Sequence, residues 1–273
     1  MFIGWLRKNS FKTDIDEFAK KITIDVNLVL KTVEENLNLC FGAYDNDKKL
    51  VAFITGYQFQ NTVLINNFYY LDDVSSDVKK RLIKLLLDNN YDLKNTILFM
   101  AKNQTELPIF KRFKFKEYAK FKKAVFSGGG AAFNFSNVTA KSISNENFLP
   151  TIHKLDSEAF DDDRFEYITK NVMKQSSLVL STQFGYQHSY AIDKSLVKIS
   201  PWIMVDEAFT DAEKLIRGVI YHRGLKRLFA FIPKDVKEIT ELYEKYGFKL
   251  VDDFTLIYLN DKPNINLESL YGF

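Results

Sequence analysis

The sequence predicts an α/β (α+β) fold in which two similar units each carry a mixed, mostly antiparallel central sheet flanked by helices. Three observations carry this expectation. The chain has 273 residues, long for one domain and comfortable for two. A run of small residues, Ser127-Gly128-Gly129-Gly130-Ala131-Ala132, breaks the apolar periodicity near the middle and reads as a flexible linker. On either side of it the same succession recurs: helices, hairpin, strand, helix, strand, helix, strand. The expected boundaries are residues 1–127 for the first unit, 128–137 for the linker and 138–273 for the second. Charge divides unevenly too, with 21 Lys/Arg against 15 Asp/Glu in residues 1–127 and 17 against 20 in residues 128–273.

In the first half, Leu39–Tyr44 and Leu50–Phe59 are strand-like runs joined by the turn signal Asp45-Asn46-Asp47. Thr62–Tyr70 is a further strand. Ser75–Asn90 reads as a helix, with Ser75 or Ser76 as its cap and Val78, Leu82, Leu85 and Leu86 as its apolar stripe. Thr96–Met100 is a buried strand, Leu107–Phe113 a short helix, and Phe115–Phe126 alternates as a final strand. The second half opens with helices at Asn147–Phe160 and Phe165–Gln175. Strands follow at Leu178–Thr182, Tyr186–Ile192 and Leu196–Val205. Thr210–Tyr221 is a helix, Leu228–Ile232 a strand, Lys237–Tyr246 a helix closed by Gly247, and Phe254–Leu259 a strand.

Composition excludes several classes of function. Apolar residues make up 46% and charged residues 27% of the chain, a globular balance rather than a disordered one. No apolar run reaches the length of a membrane span, and Phe2–Leu6 is too short for a signal peptide, so a cytoplasmic setting is expected. One cysteine, Cys40, rules out an internal disulfide framework, and three histidines without helical pairing make a metal centre unexpected. The 11 glycines form neither a Walker loop nor a dinucleotide fingerprint. Phe110–Lys123 interleaves seven Lys/Arg with aromatics. That pattern suits single-stranded nucleic acid, but it equally describes a half-buried strand with a solvated lysine face; no nucleic-acid partner is expected.

Two short segments carry a family resemblance. Leu242-Tyr243-Glu244-Lys245-Tyr246-Gly247-Phe248 resembles the ending of the fourth helix in the GNAT acetyltransferase superfamily, and Ile109–Phe115 is a worn copy of it. Leu155–Arg164 and the Pro-Trp strand Ile199–Val205 resemble parts of the second domain in bacterial proteins with two fused GNAT domains. The resemblance implies direct acyl transfer from acyl-CoA, acetyl-CoA in the first instance, to a small-molecule or peptide amine, without a metal. It implies a pantetheine arm lying between two splayed strands, here beside Ile203, Met204 and Val205. It further implies a pyrophosphate at the start of the following helix, where free N–H groups and the helix dipole favour an anion.

Ala208, Thr210 and Ala212 stand at the glycine positions of that phosphate loop, with the acidic Glu207 before them. In the first half the corresponding loop is Val74–Lys79, where Asp77 sets a negative charge. By resemblance Tyr243 is the general acid that protonates the departing thiolate, a task suited to a phenol. Phe110 stands at the matching position of the first half and cannot do this, so the chemistry is expected in the second unit. Glu207 is a candidate base, beside Glu158, Glu166 and His188. Asp156, Asp163 and Arg164 are candidates to attract the amine, with helix punctuation as their alternative reading. Two other functions stay open. One is a non-catalytic binding or scaffold protein of this fold that has lost acyl-CoA. The other is a tRNA-dependent aminoacyl transferase, which the near-neutral charge disfavours.

Overall fold

A computed structural model describes residues 1–90, 95–129, 141–142 and 149–273. They divide into two compact units, Met1–Tyr118 with Thr255–Pro263, and Ala119–Phe254 with Asn264–Phe273. Both units are mixed α/β, with mostly antiparallel sheets flanked by helices.

The first unit runs β1 (Phe2–Trp5), α1 (Phe11–Ala19), α2 (Val26–Glu35), β2 (Cys40–Tyr44), β3 (Leu50–Gln58), β4 (Thr62–Tyr70), α3 (Ser76–Asp88), β5 (Thr96–Lys102) and α4 (Leu107–Lys111). Strands β1 to β4 are antiparallel neighbours, and β5 joins β4 in parallel. The sheet is completed beside β5 by the Thr255–Leu259 part of β12 (Lys249–Leu259). Successive strand residues face opposite sides of a sheet, and β2 shows the sorting. Cys40 and Tyr44 join the core of α1 and α2 with Phe18 and Val29, whereas Phe41 and Ala43 join that of α3 with Leu82 and Leu86. The Ser75 side chain accepts a hydrogen bond from Val78 N at 3.4 Å and starts α3 as a capping serine does.

The second unit contains α5 (Leu149–Phe160), a π-helical turn (Tyr167–Val172), β8 (Leu178–Thr182), β9 (Gly185–Ala191), β10 (Leu196–Met204), α6 (Phe209–Arg223), β11 (Arg227–Pro233), α7 (Lys237–Lys245) and β13 (Leu270–Gly272). A two-residue β7 (Lys141–Ser142) edges its sheet beside β8. Strands β8, β9 and β10 are antiparallel, β10 and β11 parallel, and the Phe121–Phe126 part of β6 (Lys116–Phe126) lies antiparallel to β11. Helices α6 and α7 bury Leu215, Ile216, Val219, Ile239 and Tyr243 against Val197, Ile199, Trp202 and Ile232.

The expected split at residue 127 thus differs from the observed units in two segments. Residues 119–126 bond β11 and so belong with the second sheet, while residues 255–263 belong with the first. Of the expected linker, Gly128 and Gly129 have φ of +89° and +94°, a conformation that favours glycine; residues 130–137 lie outside the described residues. Helix α5 starts at Leu149, and residues 147–148 of its expected span also lie outside them. The expected helix Phe165–Gln175 is shorter and wider, closed by Met173 N donating to Ile168 O at 2.8 Å.

Candidate functional site

Among the described residues each unit has a pair of parallel strands, β4 with β5 and β10 with β11, that start side by side and then part, and these forks are where the expected chemistry would sit. In the second unit β10 and β11 pair only over Leu196–Lys198 and Arg227–Phe229. A bulge between Ile199 and Trp202 then turns β10 away. The resulting gap is filled by the chain itself. Strand β13 enters it antiparallel to β10, with Trp202 opposite Gly272 and Ile203 opposite Leu270. Met204 N donates to Ser269 O at 2.9 Å, and Phe273 N donates to Phe231 O on the β11 side at 3.0 Å. Leu270 and Tyr271 are 0% and 1% exposed. Burying side chains of this size is worth about 1.5–3 kcal/mol each, so β13 is a resident strand.

This corrects several expectations for the second unit. Ile203 and Met204 spend their pairing capacity on β13, and Val205 N donates to Phe184 O at 2.7 Å; none is left for a pantetheine arm. At the start of α6, the N–H groups of Phe209, Asp211 and Ala212 donate to Glu207 O and Ala208 O. Ala212 is wholly buried in the core, Ala208 is half-buried and Thr210 exposed. Glu207 is exposed with φ of +63°, and Asp206 adds negative charge where an anion was expected, while Asp211 is paired with Lys214 at 3.2 Å. Asp206 instead accepts from Asn266 Nδ2 at 3.1 Å.

Tyr243 is 0% exposed, and its hydroxyl donates to Tyr271 O at 2.8 Å. Its ring packs on Trp202 and Phe248, and burial holds its phenol well above the ordinary range. A proton held by a buried carbonyl has no route to a thiolate, so the general-acid role expected of Tyr243 gives way to a structural one. It ties α7 to β13.

The expected amine-attracting residues are structural too. Arg164 donates from Nε and Nη2 to both carboxylate oxygens of Asp156 at 2.9 and 2.8 Å, and the Tyr186 hydroxyl donates to Asp156 Oδ2 at 3.2 Å. Burial opposes the charge of Arg164, but Asp156 more than offsets it and holds the guanidinium above its ordinary value. Asp163 caps the next turn, accepting from Phe165 N at 3.0 Å, with His153 Nε2 3.2 Å away. His188 is buried and pushed down to about 4, chiefly by desolvation. Its Nδ1 lies 2.6 Å from Ser200 O, so Nδ1 carries the proton and Nε2 accepts from Ser177 Oγ at 2.7 Å. It is no base for an outside amine.

The first unit's fork differs. β4 and β5 pair over Thr62–Ile65 and Thr96–Phe99, and a bulge after Thr55 in the β3–β4 ladder sets off Asn66. Beyond Ile65, no strand among the described residues pairs the β5-facing edge of β4. Phe68, Phe99, Phe110 and Phe115 form a ring cluster beside it, which places Phe110 and Phe115 in the core and not on a nucleic-acid surface. Helix α3 follows β4, and its outer face bounds a groove of about 520 Å³ lined by Asp77, Lys80, Arg81, Lys84, Leu85, Asp88 and Phe113. Asp77, set down as a repelling charge, is bound by Lys80 at 2.8 Å, which lowers its carboxyl below the usual range. Arg81 and Lys84 have no ion pair among the described residues.

At the fork's wide end, the half-buried Glu106 accepts from Lys102 N through Oε2 at 2.8 Å, and Lys79 Nζ stands 3.5 Å over the Tyr70 ring. Sequence reasoning did not single out Glu106, Arg81 or Lys84. A usable signal was present in Lys80, Arg81 and Lys84, which lie opposite the apolar stripe of the predicted helix. Among the described residues no group of His, Cys, Asp or Glu could hold a metal ion, and no helix is long and apolar enough to cross a membrane.

Residues 152–272 match the family model described as an acetyltransferase (GNAT) domain. The whole chain is similar in structure to a putative acetyltransferase from Pyrococcus horikoshii, at 17% identity and a TM-score of 0.80, covering 100% of this chain and 93% of that one. A GCN5-related N-acetyltransferase from Sphaerobacter thermophilus is similar at 13% identity and a TM-score of 0.65, covering 98% of each chain. N-myristoyltransferase from Saccharomyces cerevisiae, solved with bound myristoyl-CoA and inhibitors, is similar at 10% identity and 0.66, covering 98% of this chain and 84% of that one. No curated protein matches the sequence.

Proposed function

We propose, from the GNAT acetyltransferase domain matched by residues 152–272 and the fold shared with GNAT structures, that the chain is an acyl-CoA-dependent N-acyltransferase whose acyl-CoA is held by the first unit. One observation carries the assignment: the fork of the second unit is filled by β13, whereas in the first no strand among the described residues pairs the β5-facing edge of β4 beyond Ile65. In that fork the free edge of β4 pairs with the pantetheine amides. The phosphates lie towards α3, where Arg81 and Lys84, with no ion pair among the described residues, supply positive charge beside the groove, Lys80 offsets Asp77, and Asp88 is the remaining acidic lining residue. This reading moves the chemistry away from the second unit, to which the sequence pointed. The second unit takes the scaffold role that the sequence left open for the whole chain, which its buried Tyr243 and filled fork favour. Acetyl-CoA as donor, a small-molecule or peptide amine as acceptor, and a cytoplasmic setting complete the proposal.

Calorimetric titration of the full chain with acetyl-CoA tests it. The wild type should bind at one site, and Arg81→Ala with Lys84→Ala should weaken binding about 10- to 100-fold, since a hydrogen bond to a charged group is worth about 1.5–3 kcal/mol. Glu207→Gln should change nothing. Silence of the wild type, or equal affinity in the double variant, would overturn the assignment.

A further inference from the structure

We propose that Glu106 takes up the proton of the acceptor amine, an inference that rests on the reading just given. The group must stand at the wide end of the first unit's fork, reach solvent, and be held without being neutralised. Glu106 meets these conditions. It sits four residues past the end of β5, and its charge bears on Tyr69 and Tyr70, the last two residues of β4. One oxygen, Oε2, is fixed by Lys102 N. The other, Oε1, has no hydrogen-bond or ion-pair partner among the described residues.

The charged and titratable groups around it come from every neighbouring element. Lys102 lies on β5 and Lys79 on the first turn of α3; both favour the carboxylate. Tyr69 and Tyr70 close β4, Asp72 follows it, and Asp25 precedes α2. Lys79 faces the Tyr70 ring and forms no salt bridge with Glu106. Desolvation is the largest influence and moves the carboxyl up to about 7, which is where a general base works best near neutral pH.

The step balances as follows. The amine nitrogen bonds the thioester carbonyl carbon, and the carbon–sulfur bond breaks with its electron pair going to sulfur. The amine proton passes to Glu106 Oε1 and on to solvent, and the CoA thiolate takes a proton from solvent. The products are the amide and free CoA.

The test is thiol release from acetyl-CoA by the full chain as a function of pH, with an aromatic amine or water as acceptor. Such an amine stays neutral over the range, so the limb reports the protein. The wild type should show one limb centred near pH 7. Glu106→Gln should lose that limb and fall by ~10²-fold or more, while binding acetyl-CoA within a few-fold of the wild type. Glu106→Asp should keep a limb. A Gln variant with the wild-type limb and rate would overturn the role of Glu106. So would a carbon-13 carboxyl titration placing Glu106 in the ordinary carboxylate range, or a wild type that binds acetyl-CoA yet releases no thiol. Absence of acetyl-CoA binding would instead overturn the reading beneath it, and Glu106 with it.

Discussion

The hydroxyl of Tyr243 is given to a backbone carbonyl of β13, so Tyr243→Phe removes one buried hydrogen bond and no reacting group. The expected outcome is a loss of stability of about 1–3 kcal/mol, because the Tyr271 carbonyl is left unsatisfied in the core. Acetyl-CoA binding and thiol release should stay within a few-fold of the wild type. Denaturant unfolding and the thiol assay check the two halves of this expectation, and a large fall in turnover at unchanged stability would return Tyr243 to catalysis. The motif around Tyr243 was legible in the sequence because it is local: a helix end, a Gly at C′ and a following strand. Whether its hydroxyl faces a cleft or a carbonyl depends on residue 271, which no local pattern ties to it. Glu106 was hidden likewise, since the surrounding groups Tyr69 and Tyr70 on β4 and Lys79 on α3 are remote from it in sequence.

At the scale of elements, β13 is the piece that decides which fork is open. Its three residues carry no periodic signal, and the stretch Asn264–Ser269 before it reads as polar loop, so it was not expected as a strand. The longer elements were legible because alternation and helical stripes are their own evidence. α3 begins at its predicted cap, and β3, β4 and β10 lie within a residue or so of their predicted spans. Gly272 gives the test of β13. A Cβ there would meet Ile199 O at 3.0 Å and Trp202 Cβ at 3.2 Å, and a strand backbone cannot yield as a side-chain tip can. Gly272→Val should therefore destabilise the protein by about 1–3 kcal/mol and speed amide hydrogen exchange at Ile203, Met204 and Leu270–Phe273. The number of acetyl-CoA sites should remain one. A second site in calorimetry would show that β13 masks a working fork.

At the scale of the whole molecule, the glycine-rich break marks a convenient division in the sequence that the packing does not respect. Each unit draws a strand from beyond that break. The second needs residues 119–126, where Phe121 and Ala124 are fully buried on β11. The first needs residues 255–259, where Ile257 is fully buried in the core with Ile97 and Phe99. Removing either segment strips two or more core side chains, at about 1.5–3 kcal/mol for each large one, and exposes a strand edge. Against a total stability of about 5–15 kcal/mol, that loss is enough to unfold a unit. Fragments 1–127 and 138–273 made separately should accordingly show little cooperative unfolding and weak amide protection. Mixed or co-expressed, they should regain both, because each then supplies the strand the other lacks. A fragment 1–127 that unfolds cooperatively alone, with β5 protected from exchange, would mean that residues 255–259 lie against that sheet without supporting it.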